Sequence, residues 1–193
     1  MFNRLLNRSF DFISSVLFLL LFFWLYLVIM IYLKLKIGSP VFFYQKRLGL
    51  HGKNFELIKF RTFSKNKIIR ETTFLRKFKL DEIPQIFNIL KGEMSVVGPR
   101  PLKAEYIDIL NKHFKSRFKI KPGLTGLTQI NPNISDWNKY FEKDLEYIKN
   151  KTFILDMKII LITLLRLNSY KLGKNLTDLN LLMKKNKLRF FKL

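Results

Sequence analysis

The 193-residue sequence has no cysteine, two histidines, six prolines and eight glycines, and only 14 acidic residues. Without cysteine there can be no disulfide and no thiolate nucleophile or metal ligand, which suits a cytoplasmic domain without requiring one. Two histidines argue against a zinc enzyme. The shortage of acid has the largest consequence: 36 Lys and Arg against 14 Asp and Glu leave a formal net charge of +22. Such a surplus calls for anionic partners, either nucleic acid or lipid headgroups and phosphorylated substrates. One stretch lacks charge altogether. Residues 12–33, FISSVLFLLLFFWLYLVIMIYL, hold neither a charged residue nor a proline.

As a helix this run would be about 33 Å long, enough to cross a hydrocarbon core. A core helix or a cleaved signal peptide fits less well, because the run has no polar face and no small-residue cleavage site follows it. Arg4 and Arg8 precede it, and Lys34, Lys36, Lys46 and Arg47 follow it. The C-terminal side carries more positive charge, which places the large C-terminal part in the cytoplasm, and charge on both sides gives no clean reason to send the N-terminus across. A span and a re-entrant hairpin both remain open. Asp11 at the mouth of the run suits a helix start, with its carboxylate near the positive end of the dipole. A basic surface beside a bilayer favours anionic phospholipids and phosphorylated substrates over nucleic acid as partners.

Further along, Gly38-Ser39-Pro40 makes a turn and residues 41–44 read as a short strand, followed by a basic connection over 45–53. Residues 54–63 form a second strand candidate in which Lys59 and Arg61, two apart, share a face, either solvated or aimed at a phosphate. In residues 80–90, LDEIPQIFNIL, apolar residues recur at helical spacing, and Pro84 places the N-terminus near Leu80 or Asp81. Asp81 there is either a plain N-cap or a working carboxylate. Pro99-Arg100-Pro101 pins the backbone around one arginine, which suits bidentate contact with an oxyanion. A helix over about 103–115 is expected. The 121–129 segment, KPGLTGLTQ, describes a shaped loop that could present backbone N–H groups to an anion. Residues 136–149 and 153–167 are two further helices, the second suited to the core or the bilayer interface, and 172–193 reads as an interfacial tail.

A membrane-anchored basic domain with one adjacent Asp-Glu pair suits phosphoryl chemistry on a lipid-soluble acceptor. Attack on a phosphoanhydride needs its oxygens neutralised by Arg, Lys or Mg²⁺, and a carboxylate can be the nucleophile.

Between Phe10 and about Ile159 the sequence resembles the bacterial sugar transferase family, the small monotopic phosphoglycosyl transferases. The matching stretches stand in order: Phe10-Asp11-Phe12, Gly38-Ser39-Pro40-Val41-Phe42-Phe43, Gln45-Lys46-Arg47-Leu48-Gly49, Lys59-Phe60-Arg61-Thr62, Leu80-Asp81-Glu82-Ile83-Pro84-Gln85, Met94-Ser95-Val96-Val97-Gly98-Pro99-Arg100-Pro101-Leu102 and Lys121-Pro122-Gly123-Leu124-Thr125-Gly126. The resemblance implies transfer of a sugar 1-phosphate from a UDP-sugar donor to polyprenyl phosphate, with release of UMP. It places this ping-pong, Mg²⁺-dependent reaction at the cytoplasmic face of a bacterial inner membrane, as the first membrane step of a cell-surface glycan. Asp81 would be the nucleophile and Glu82 its partner carboxylate. Arg76 and Arg100 would contact phosphate, with Lys59 and Arg61 beside them. Asp81, Glu82 and Asp156 would meet the metal. Downstream glycosyltransferases are the implied protein partners.

The implied fold is α+β: a re-entrant membrane helix hairpin over residues 1–36, a small and mostly helical cytoplasmic catalytic domain over 37–170 with interfacial amphipathic helices and short strands, and a basic–apolar tail over 171–193. Four departures stand out. Phe23-Trp24 occupies the place of the family's helix-breaking Ser-Pro, Lys121 replaces an arginine, and Leu127 and Asn133 replace an aromatic ring and an arginine. The first bears on whether the helix re-enters or spans, and the other three on donor handling more than on the nucleophile. The alternative reading is a non-catalytic, basic, membrane-anchored binding or scaffold protein, which would be indifferent to Asp81.

Overall fold

The computed structural model describes residues 2–64, 67–107, 114–131, 134 and 136–167. The expected tail over 171–193 lies outside the described residues, as does Asn133. The first element, α1 (Phe2–Ile37), is helical at every residue. Phe23-Trp24, at the place of the family's break, is helical like its neighbours, as suits a run without proline. Because α1 begins at Phe2, Asp11 lies inside the helix and is no cap. Its buried carboxylate accepts from the Ser95 hydroxyl and the Val96 amide, each at 2.9 Å.

Both ends of α1 rest on the same domain. Arg8 donates to the carbonyls of Ile89 and Leu90, at 2.6 Å each. At the other end Tyr26, Ile29 and Leu33 pack with Phe60 and Leu75, and Tyr32 donates to the Glu71 carbonyl at 2.8 Å. Between these anchors residues 21–25 are exposed on every side, with Trp24 at 74 %. Over Leu6–Ile37 the helix is apolar and long enough to cross a membrane.

An antiparallel hairpin follows. β1 (Phe42–Leu48) pairs along its full length with β2 (Asn54–Phe60), from Phe42 opposite Phe60 to Leu48 opposite Asn54. β1 therefore runs four residues past its expected end, through Gln45-Lys46-Arg47-Leu48, because pairing with β2 overrides the polar character of those residues. The short strands β3 (Phe63–Ser64) and β4 (Lys67–Ile68) and the helix α2 (Thr73–Lys77) lead to a 3-10 turn, Leu80–Glu82. Helix α3 (Gln85–Lys91) starts only after Pro84, later than expected, and ends at Gly92 in the left-handed conformation.

The other edge of β2 is closed by one side chain. Asn88 of α3 accepts from the Ile58 amide at 3.0 Å, and its Nδ2 donates to the Glu56 carbonyl and to Glu93, each at 2.7 Å. Asn88 is fully buried.

β5 (Ser95–Val97) pairs in parallel with β6 (Gly123–Thr125). Backbone passes against backbone here. A Cβ on Gly98 would stand 2.5 Å from the Lys121 carbonyl oxygen, and one on Gly126 2.1 Å from that of Gly98. The Gly123 and Gly98 amides donate to Pro99 and Thr125 carbonyls, at 2.9 Å each. Within the 121–129 loop the Gly123 amide is thus spent on packing and does not serve an anion. The expected helix over 103–115 is a 3-10 turn at Ala104–Tyr106 and a 3-10 segment at Phe114–Lys119, with 108–113 outside the described residues.

α4 (Trp137–Lys149) and α5 (Phe153–Leu167) match their expected positions, and Asp136 caps α4 through the Asn138 amide. The buried side of α4 includes Tyr140, Asp144 and Tyr147 as well as Phe141. α5 buries Ile159 and leaves Ile154, Leu161, Leu164 and Leu165 exposed.

Asn88→Ala is expected to lower stability by about 1–3 kcal/mol, because it leaves the buried Ile58 amide without a partner and strips the part-buried Glu56 carbonyl of its Asn88 donor. A thermal-shift measurement in detergent checks this.

Candidate active site

The local backbone decides where the two adjacent carboxylates go. Lys79 holds a left-handed conformation (φ 58°, ψ 17°), which non-glycine residues adopt at a cost, and the 3-10 turn begins directly after it. The reversal turns Asp81 and Glu82 inward, and Asp81 keeps only 9 % of its surface exposed. No side-chain cap bond forms at this turn, so Asp81 is not an N-cap.

Glu82 meets Lys59 of β2, Oε1 to Nζ, at 2.6 Å, and both side chains are 18 % exposed. Burial pushes the Glu82 carboxyl up, but Lys59, Arg100 and Lys79 outweigh it and hold the group well below the usual carboxylate range. Asp81 goes the other way. Burial and then the neighbouring Glu82 charge push its carboxyl up to about 6, against the pull of Lys59, Lys79 and Arg76. One carboxylate is therefore a standing anion and its neighbour titrates near neutrality, the pattern that separates roles in a pair of acids.

Five cations surround the two acids. Lys59, Lys79, Arg76 and Arg100 act on them directly, and Arg47 stands beside Arg100. Burial, followed by repulsion from Arg100, lowers the Arg47 pKa to about 10. Arg47 is held by the Pro101 carbonyl at 2.9 Å and the Gln45 amide oxygen at 2.6 Å. Arg76 stacks its guanidinium 4.5 Å over the Phe63 ring. Among the described residues its buried Nη1 has no hydrogen-bond partner.

A solvent-open cleft of about 270 Å³ is lined by Arg47, Lys59, Glu82, Gln85, Arg100 and Gln129. Three of the five cations, Arg47, Lys59 and Arg100, line this cleft with Glu82, while Lys79 and Arg76 bear on the acids from outside its lining. This excess of positive charge suits an anion of more than one charge.

Of the residues singled out in the sequence, Asp81, Glu82, Lys59, Arg76 and Arg100 come together. Arg61 does not share Lys59's direction. It lies beyond the end of β2 and donates to the carbonyls of Ile37 and Gly38, at 2.6 and 3.0 Å, closing the C-terminus of α1. Asp156 is also elsewhere. It accepts from the Tyr147 hydroxyl at 2.6 Å, lies 3.9 Å from Lys151 and feels the charge of Asp11. The first turn of α5 meets α4 there, away from the Leu80–Glu82 turn. Among the described residues no three His, Asp or Glu side chains converge into a metal-holding set. Two carboxylates still suit a hard divalent ion that completes its shell with water and phosphate oxygens.

Lys79, Arg47, Gln85 and Gln129 were not singled out from the sequence. Lys79 abuts the acid pair and Arg47 lies in a recognised stretch, but among 36 basic residues neither stands out.

An acid whose pKa is raised by folding destabilises the fold once it ionises. That penalty grows as pH rises from about 4 through 6. Asp81→Asn is therefore expected to raise the melting temperature at pH 7.5, and the gain should shrink as pH falls through 6. Thermal shifts of both proteins across pH 4–8 check the sign.

The Bacterial sugar transferase family model matches residues 2–169. The chain is 41 % identical to the "Uncharacterized sugar transferase EpsL" of Bacillus subtilis (strain 168), over 82 % of this chain and 85 % of that protein. It is 38 % identical to the UDP-glucose:undecaprenyl-phosphate glucose-1-phosphate transferase of Xanthomonas campestris pv. campestris, over 76 % of this chain but 35 % of that protein. It is 31 % identical to the UDP-N-acetylgalactosamine-undecaprenyl-phosphate N-acetylgalactosaminephosphotransferase of Aeromonas hydrophila, over 82 % of this chain and 43 % of that protein. The chain thus spans less than half the length of these two named transferases. Matched along nearly all of its described length, and carrying an acid pair among five cations as well as a long apolar helix, the chain belongs to the bacterial sugar transferase family.

Proposed function

We propose that this protein transfers a sugar 1-phosphate from a UDP-sugar to polyprenyl phosphate by way of an aspartyl phospho-sugar. The observation that carries the reading is the Asp81–Glu82 pair, one acid poised near neutrality and one fixed as an anion, inside five cations. Asp81 attacks the sugar-bearing phosphorus, the bond from that phosphorus to the bridging oxygen breaks, and UMP leaves with the electron pair. An oxygen of the lipid phosphate then attacks the same phosphorus. The acyl phosphate bond breaks and the Asp81 carboxylate is restored.

Arg76 and Arg100 bear on the acids from different elements and suit the phosphate oxygens. Lys59, spoken for by Glu82, holds that carboxylate in place. Mg²⁺, held by Asp81 and Glu82 with donor phosphate oxygens, would neutralise charge on the diphosphate as it develops.

The lipid acceptor cannot leave the bilayer, so the cleft must lie near the headgroups. Arg8 and Asp11 at one end of α1, and Tyr32 and Ile37 at the other, contact one and the same domain. That arrangement supports an anchor whose two ends stay on one face, with the exposed apolar residues 21–25 in lipid. The basic surface supports the cytoplasmic face of the inner membrane and contact with anionic phospholipids.

The full-length protein in detergent, given Mg²⁺, polyprenyl phosphate and a panel of UDP-sugars, is expected to release UMP with at least one donor. Arg100→Ala should lower kcat/KM by about 100-fold or more, as losing a charge-bearing phosphate contact does. Wild-type turnover in that variant would remove Arg100 from the site. With wild-type protein, kcat/KM for the donor should fall on the acid side with an apparent pKa near 6, as Asp81 takes up its proton. A profile flat down to pH 5 would contradict the role of Asp81.

A further inference from the structure

Two segments that carry cleft residues meet, behind the cleft, at one carboxylate. Asp144 of α4 is 1 % exposed. Its Oδ2 accepts from Nη2 of Arg117 at 2.5 Å, and its Oδ1 accepts from the Thr128 hydroxyl at 3.2 Å. Arg117, on the 3-10 segment Phe114–Lys119, is 2 % exposed, and the same Nη2 donates to the Arg100 carbonyl at 2.9 Å. Thr128 shares its one hydroxyl proton between Asp144 and the Gln129 amide oxygen, which is 3.1 Å away.

Arg100 and Gln129 line the cleft with Glu82, whereas Arg117, Asp144 and Thr128 do not. Among the described residues Nε and Nη1 of Arg117 have no hydrogen-bond partner. The rings of Phe141 and Phe118 flank the guanidinium at 5.2 and 5.8 Å. A buried cation in such surroundings depends on its acid, and removing one partner of the pair strands the other.

We propose that the Arg117–Asp144 pair is a positioning unit for the donor-phosphate edge of the cleft. It sets Arg100 through that residue's backbone carbonyl and Gln129 through Thr128. Arg100 sits between Pro99 and Pro101, so a fixed carbonyl also fixes the direction in which its side chain leaves the chain. The proposal rests on reading Arg100 as a phosphate ligand. Arg117 and Asp144 act through it and do not touch substrate.

A double-mutant cycle tests the coupling. Asp144→Asn is expected to raise the donor KM about tenfold, with the acceptor KM unchanged. In an Arg100→Ala background the same change should have a much smaller effect, no larger than that of Thr128→Val, because only the Gln129 arm remains. Equal penalties in both backgrounds would overturn the proposal. So would a loss in kcat alone with both KM values unchanged, the mark of a smaller folded fraction. Thr128→Val leaves the Arg117–Asp144 bond intact and should raise the donor KM by a smaller factor. It carries the test if Asp144→Asn does not fold, and an unchanged donor KM would then overturn the proposal.

Hydrogen exchange of the 99–102 peptide gives a readout independent of turnover. Its two prolines leave the amides of Arg100 and Leu102, and exchange there should quicken in Asp144→Asn and stay as in wild type in Thr128→Val, which leaves the Arg117 contact to the Arg100 carbonyl in place. Unchanged exchange in Asp144→Asn would overturn the positioning role even with turnover intact. A wild-type protein that turns over no UDP-sugar would instead sink the proposed function, and the exchange measurement would still decide the positioning role.

Discussion

The ion pair between Lys59 and Glu82 is the contact on which the rest of the site depends. Two neighbouring carboxylates in a half-dry cleft repel, and both stay ionised only if cations are built in beside them. Lys59 comes from β2 and Glu82 from the turn before α3, so the pair exists only if α3 is seated correctly on that strand. Asn88 seats it by taking over the open edge of β2. Burial of Asp81, and then the charge of Glu82 fixed as an anion beside it, raise the Asp81 carboxyl towards neutrality. A hydrogen-bonded edge, a salt bridge and a displaced titration are thus one chain of cause.

The same logic joins the site to the membrane. Arg61 closes the end of α1, and Asp11 ties the other arm of α1 to β5, the strand that leads into Pro99-Arg100-Pro101. The anchor helix is therefore part of the domain's packing. Its exposed apolar residues and the cleft are held in a fixed relation by these part-buried polar contacts.

Much of this was legible in the sequence because it is local. The uncharged run over 12–33, the adjacent Asp81 and Glu82, the proline-bracketed Arg100 and the helical stripe that became α4 are all patterns within a few residues. Long-range pairing was not legible. β1 continues through Lys46 and Arg47 because β2 lies opposite. Lys59 and Arg61 part because the strand ends between them. Asp11 reads as a helix start until α1 is seen to begin at Phe2, and Asp156 reads as a metal contact until Tyr147 is seen to hold it. The polar residues Asp144 and Arg117 look like surface charges, because nothing local marks them as each other's buried partner.

The most direct measurement of the central claim is intact mass of the full-length protein incubated with Mg²⁺ and UDP-sugars without any lipid acceptor. The account predicts a mass increase of one sugar phosphate with the correct donor, absent in Asp81→Asn and discharged when polyprenyl phosphate is added. Transfer of sugar phosphate to lipid by the Asp81→Asn protein, or an adduct carried on another residue, would contradict it.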